Sequence, residues 1–124
     1  MIEIGTKHKS IKVVDETTTA ASIGSGDMAV LATPAMIALM ENAAMTAVAA
    51  ELPKGHTTVG GHINVSHLKP SKVGESIVAS ATVTEVNGKK IEFKVEAYCG
   101  DTLIGEGSHT RFIVDREKFL SRIL

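Results

Sequence analysis

The segment from Thr33 to Glu51 constrains the fold more than any other part of the chain, because it predicts one long helix that is apolar almost all round. Ala, Leu and Met dominate it, and all three are strong helix formers. Thr33 is expected to cap the helix with its hydroxyl, and Pro34 suits the first helical position. Pro53 ends the run. Such a helix should be buried on most sides, so the rest of the chain is expected to wrap around it.

Glu41 is the one carboxylate inside this apolar helix. An ionised carboxylate away from water is costly unless it is paired or hydrogen-bonded, so its position there suggests a function. A poorly solvated carboxylate can serve as a general base or as a nucleophile. The alternative is a carboxylate at the helix surface that pairs with a lysine.

The spacing of apolar residues changes from a helical period to a period of two after the helix, which predicts four antiparallel strands. They are expected over residues 57–68, 75–86, 91–97 and 103–114, with tight turns at Asn87-Gly88 and Gly100-Asp101.

The ends of the chain predict three further segments. Residues 2–14 predict a first strand that residues 15–19 could continue. Residues 21–27 predict a flexible loop, which is either a lid over a pocket or an ordinary connector. Residues 115–124 predict a short helix capped by Asp115. The whole chain, residues 1–124, is therefore expected to form a single α+β domain, with a curved antiparallel sheet of about five strands around one long buried helix.

Composition limits the classes of function. The net charge is -1 and aromatic residues are 3% of the chain, so neither a basic field nor base stacking points to nucleic acid. The single cysteine, Cys99, excludes an intrachain disulfide and a cysteine-built zinc site. The longest apolar run is too short for a bilayer and no signal peptide is visible, so we expect a cytoplasmic protein without a membrane partner.

Three segments of the sequence resemble one protein family: residues 32–44, 59–70 and 107–112. The order of the predicted elements resembles that of the hotdog fold. The residues, order and spacing of these three segments resemble those of the fluoroacetyl-CoA thioesterase-like family within it. The resemblance implies a thioesterase that hydrolyses a small acyl-CoA or related acyl thioester. It also implies a homodimer, or a tetramer, with the active site at the dimer interface.

The resemblance implies a catalytic set of Thr33, Glu41 and His67, with Gly60 beside the thioester. Gly60, Gly61 and Arg111 are expected to contact the substrate, and no cofactor or metal is expected. The family's characterised enzyme has a longer segment with an aromatic lid before the helix. Residues 21–27 contain no aromatic residue, so the resemblance implies thioester hydrolysis more strongly than fluoroacetyl selectivity.

Each of these residues also has a structural interpretation. His67 shares its strand face with apolar residues and could be a satisfied core histidine, and Gly60 could simply relieve packing. Arg111 could form a structural ion pair or contact the phosphates of coenzyme A. A metal site from His56, His62 and His109 matches no known ligand spacing. The alternative to an enzyme is a non-catalytic protein that binds acyl-CoA or acts as a dimeric scaffold.

Overall fold

The long helix of the sequence analysis is the second of three α-helices in the computed structural model, which describes residues 1–124. The helices are α1 (Ala20–Ile23), α2 (Thr33–Ala49) and α3 (Arg116–Ser121). The strands are β1 (Lys7–Val13), β2 (His56–His67), β3 (Ser76–Asn87), β4 (Lys90–Cys99) and β5 (Thr102–Asp115). No helix is both long and apolar enough to cross a membrane.

The five strands form one antiparallel sheet in the order β1-β3-β4-β5-β2, so β1 and β2 are its edges. Alternate residues of β3 and β4 face α2, as their period of two predicted. The buried residues of the sheet and helix form a single aliphatic core around Phe93: Ile77, Ala79, Ala81, Val83, Ile91, Val95 and Ala97 with Met36, Met40, Ala43, Ala44 and Val48. The predicted α+β architecture is confirmed.

The prediction that α2 is buried on most sides is wrong for a single chain. Its buried residues form one face, whereas Pro34, Ala38, Met45 and Ala49 are exposed on the other. The helix is apolar all round, but the sheet covers only half of it. An apolar helix face open to water is a feature of surfaces that meet another protein.

The structure also corrects the prediction for the segment between β1 and α2. Residues 15–19 do not continue the strand but form a 3₁₀ turn over Glu16–Thr18. The Asp15 carboxylate accepts hydrogen bonds from the backbone and hydroxyl of Thr17, and this local bonding competes with extended structure. Part of the expected loop is helical, because Thr19 caps α1 by accepting from the backbone N–H of Ser22.

The predicted start of the C-terminal helix and the predicted β3–β4 turn can be compared directly with the structure. The C-terminal helix begins where predicted, and the Asp115 carboxylate accepts from the backbone N–H of Lys118 at 3.1 Å. The β3–β4 hairpin lies one residue later than expected, because Asn87 pairs with Lys90 and the turn residues are Gly88 and Lys89. Gly88 has φ of 61°, a left-handed conformation that glycine adopts without strain.

Candidate active site

The first polar contact of the site joins the start of α2 to the end of β2. Oγ1 of Thr33 lies 2.7 Å from Nδ1 of His67. The prediction that Thr33 caps the helix is wrong, because Ala32 occupies the N-cap position and no side chain caps α2. Since Thr33 is already the first helical residue, its hydroxyl is free to bond a histidine 34 positions along the chain.

His67 is half-buried, and burial lowers the pKa of its imidazole below the usual 6.5, with a backbone contact from Lys69 acting in the opposite direction. Its Nε2 atom is buried and has no hydrogen-bond partner in the protein. A neutral ring with one nitrogen held by Thr33 and the other unpaired can accept or relay a proton.

A cleft of about 360 Å³ lies beside this pair. Nine residues line it: Ala20, Ser25, Val30, Leu31, Thr33, His67, Leu68, Lys69 and Pro70. Ala20 and Ser25 come from α1 and the loop after it. The segment that the sequence left open as a lid or a connector therefore forms one wall of a cleft that contains Thr33 and His67.

The second polar cluster surrounds Glu41, further along α2. The Glu41 side chain is 40% exposed, so the expected shielding from water is absent in a single chain. It has no lysine partner within 4.0 Å, and its nearest titratable neighbour is His109, whose Nε2 lies 4.0 Å from Oε2 of Glu41. A separate cleft of about 350 Å³ is lined by Glu41, Gly60, Gly61, His62, Ile63 and His109.

Gly60 leaves room for this cluster. A Cβ atom at Gly60 would lie 3.1 Å from Oε2 of Glu41 and 3.3 Å from Cε1 of His109. Gly61 is the extra residue of a β-bulge, since Gly60 pairs with Arg111 and His62 with Thr110. A Cβ atom at Gly61 would collide with the Phe112 ring, so packing is sufficient to account for this second glycine.

Arg111 is buried in a single chain. The residue is 7% exposed, and its guanidinium donates from Nε to Oγ1 of Thr58 at 2.8 Å and from Nη2 to the Thr58 carbonyl at 2.9 Å. Burial lowers its pKa, while the negative charge of Glu41 acts in the opposite direction. In a single chain Arg111 is therefore a buried cation fixed by Thr58, beside Glu41 but without a direct ion pair, and its predicted contact with substrate stays a prediction.

His109 is the member of the cluster that sequence reasoning missed, since it was weighed only as a metal ligand. No group of three His, Cys, Asp or Glu side chains is arranged to hold a metal ion. The signal that could have found His109 is the period of two on β5, which puts it on the same strand face as Arg111.

The structure therefore brings the predicted residues together in two pairs, Thr33 with His67 and Glu41 with Gly60. Thr33 and Glu41 are separated by eight residues of α2, about 12 Å along the helix axis. The three residues of the predicted catalytic set do not form one cluster within a single chain.

Solved structures of other proteins share the fold of this chain. A hot-dog-like protein from Thermanaerovibrio acidaminovorans has the same fold, with a TM-score of 0.89 at 22% identity over 98% of this chain and 90% of that one. The chain is thus a hotdog-fold protein, as the resemblance implied. The crystal structure of the fluoroacetyl-CoA thioesterase FlK is similar throughout, with a TM-score of 0.93 and 27% identity over 99% of this chain and 96% of that one.

The sequence comparisons define the family. The family model described as fluoroacetyl-CoA-specific thioesterase matches residues 14–117. The fluoroacetyl-CoA thioesterase of Streptantibioticus cattleyicolor is 33% identical over 94 residues, which cover 76% of this chain and 68% of that enzyme. The chain belongs to the family of fluoroacetyl-CoA-specific thioesterases.

Proposed function

We propose that this protein hydrolyses a small acyl-CoA thioester at a site that two copies of the chain build together. The observation that carries the proposal is the division of the polar residues into a Thr33–His67 pair and a Glu41–Gly60 pair on the same helix and strand. The fold and family supply the reaction class. A mutant of the FlK enzyme has been solved in complex with acetyl-CoA, which supports a coenzyme A substrate here.

The edge strand β2 has the features of a strand that pairs with a second copy. The other edge, β1, carries exposed Lys7, Lys9 and Lys12, and lysine on an edge discourages pairing. β2 has no lysine, arginine or acidic residue, and Ile63 on it is 38% exposed. The uncovered apolar face of α2 is a further surface that such a dimer could cover.

Pairing of two β2 strands about a two-fold axis also completes the site. The bulged Gly61 takes no place in the ladder, so Gly60 and His67 are six ladder positions apart, and an axis through Asn64 places Gly60 of one chain opposite His67 of the other. The Thr33–His67 pair of each chain then meets the Glu41–Gly60 pair of its partner. A symmetric dimer would have two such sites.

The assembled groups can carry out hydrolysis without a cofactor. In one route Glu41 takes a proton from water as the oxygen of that water attacks the thioester carbonyl carbon. The C–S bond then breaks, and the proton reaches the departing sulfur, with Nε2 of His67 as the group that can carry it. The products are the free acid and the thiol of coenzyme A.

In a second route the Glu41 carboxylate attacks the carbonyl carbon itself, the C–S bond breaks and the thiolate of coenzyme A leaves, taking up a proton. Water then opens the resulting anhydride to release the free acid and regenerate Glu41. A single turnover in ¹⁸O-labelled water distinguishes this route, because label recovered on Glu41 identifies the anhydride. Both routes require the same residue, so one substitution tests the proposed centre whichever route operates.

The test is thiol release from a panel of acyl-CoA substrates, from acetyl and fluoroacetyl to long chain, by the wild-type protein and the Glu41→Gln variant. We expect turnover on short acyl groups and a loss of about 10² to 10⁴-fold in the variant. The matched control is Glu51→Gln, since Glu51 contacts only the N-terminal ammonium. Equal turnover by wild type and Glu41→Gln would contradict the proposal. Binding of acyl-CoA without turnover would favour a sensor or scaffold.

A further inference from the structure

His109 is held in one protonation form by its neighbours. The ring is 1% exposed, and its Nδ1 lies 2.7 Å from the carbonyl oxygen of His62. A carbonyl only accepts hydrogen bonds, so Nδ1 carries the proton. Nη1 of Arg111, which only donates, lies 3.2 Å from Nε2, so Nε2 is the acceptor. The Phe93 ring, stacked at 6.2 Å between centroids, packs against the imidazole.

Arg111 and Glu41 are both close to this acceptor. Thr58 fixes two nitrogens of the guanidinium, and the third, Nη1, points to His109. No nitrogen of Arg111 is within 4.0 Å of a Glu41 oxygen, whereas Nε2 of His109 is 4.0 Å from Oε2. Nε2 of His109 is thus closer to the carboxylate than any nitrogen of the buried cation is.

We propose that His109 is a positioning residue for Glu41: its Nε2 atom holds the Arg111 guanidinium near the carboxylate while it keeps the two from forming a direct ion pair. A bidentate ion pair with arginine would occupy the carboxylate oxygens. When His109 holds the Arg111 guanidinium in this position, its positive charge acts on Glu41 through space. Both carboxylate oxygens then stay available to water or to the thioester carbonyl. This inference rests on the proposed role of Glu41.

Two substitutions separate a positioning role from a purely structural one. In His109→Asn, the amide nitrogen can replace Nδ1 and donate to the His62 carbonyl, but the acceptor for Arg111 is lost. In His109→Gln, the longer side chain can present its amide oxygen to Arg111, but the bond to His62 is lost. Each variant keeps one hydrogen bond and removes the other.

The kinetic constants and the thermal unfolding temperature of both variants test the proposal. A positioning role predicts that His109→Asn unfolds close to the wild-type temperature but loses about 10 to 100-fold in kcat with little change in KM. It predicts the reverse for His109→Gln, with kcat nearly retained and a lower unfolding temperature. If activity instead follows stability, so that Asn is active and Gln is not, the proposal is overturned.

The Glu41→Gln variant, assayed beside these two, distinguishes a failure of the proposed role of His109 from a failure of the proposed function. If Glu41→Gln is inactive and His109→Asn retains full kcat, only the role of His109 is wrong. If Glu41→Gln retains turnover, the proposed function itself fails. Imidazole nitrogen NMR of the wild-type protein gives a readout that does not depend on activity, since a protonated Nε2 on His109 at neutral pH would also overturn the proposal.

Discussion

Oγ1 of Thr33 lies 2.7 Å from Nδ1 of His67, so one hydrogen bond joins the first residue of α2 to the last residue of β2. Both residues are at the surface of a single chain or close to it, beside the cleft that α1 helps to form. A polar pair at the meeting point of two elements orients the histidine ring with little contribution to the core.

Removal of the Thr33 hydroxyl should therefore reduce activity more than stability. We expect Thr33→Val to lower kcat by about tenfold or more, because a misdirected imidazole reacts poorly. The free energy of unfolding should change by no more than about 1 kcal/mol, the usual net worth of one hydrogen bond. Thr33→Ser keeps the hydroxyl and is the matched control. Wild-type kcat in Thr33→Val would show that the bond has no part in turnover.

Gly60→Ala should displace Glu41 without unfolding the protein. The added methyl group would lie 3.1 Å from Oε2 of Glu41, which is the end of a flexible and partly exposed side chain that can move away. Because small displacements of a reacting group can cost up to about 10²-fold, we expect kcat to fall while the unfolding temperature stays nearly constant. Steady-state kinetics and thermal unfolding of the same preparation provide the measurement. A large loss of stability with normal kcat would instead make Gly60 a packing residue.

Acidification should destabilise the fold through two histidines. Burial lowers the pKa of both His67 and His109 below the usual 6.5, and for His109 the nearby Arg111 cation lowers it further. As the pH falls below 6.5, the unfolded chain takes up protons at these positions before the folded chain does, so stability decreases.

Thermal unfolding across pH 5 to 8, a range of about three units, measures this effect, with the unfolding temperature expected to be level at the alkaline end and to fall toward the acid end. The carboxylates with lowered pKa values, Asp15, Glu75 and Asp115, lose their stabilising bonds only at lower pH, below their ordinary values of 3.8 to 4.5. The double variant His67→Asn, His109→Asn should show a smaller slope. An unchanged slope would assign the effect to other groups.

The elements of the fold could be predicted from the sequence because their signals are local. The apolar run of α2 and the alternation in β3 and β4 each follow from residues close in the chain, and the structure confirms them. The cap at Asp115 is equally local. Where two local signals compete, prediction failed: the Asp15 carboxylate favours a 3₁₀ turn over the strand that its β-branched neighbours suggested.

The environment of the candidate site depends on contacts that are distant in the sequence. Thr33 reads as an N-cap, and only its contact with His67 shows another use for the hydroxyl. His109 and Arg111 lie near Glu41 but belong to a strand some seventy residues later, so no local pattern predicts their proximity. The apolar exposed face of α2 is similar: the sequence indicates that it should be covered, but a single chain does not contain the cover.

Mixing two inactive variants tests whether a second copy of the chain completes the proposed site. If the site combines His67 of one chain with Glu41 of its partner, a mixed dimer of His67→Asn and Glu41→Gln chains has one site with both substitutions and one with neither. Random exchange of subunits makes about half of the dimers mixed, so we expect recovery of about a quarter of the wild-type activity. The control is each variant mixed with itself, which should stay inactive. A single-chain site would give no recovery, because every chain in the mixture lacks one essential group, and recovery therefore requires that residues from two chains meet.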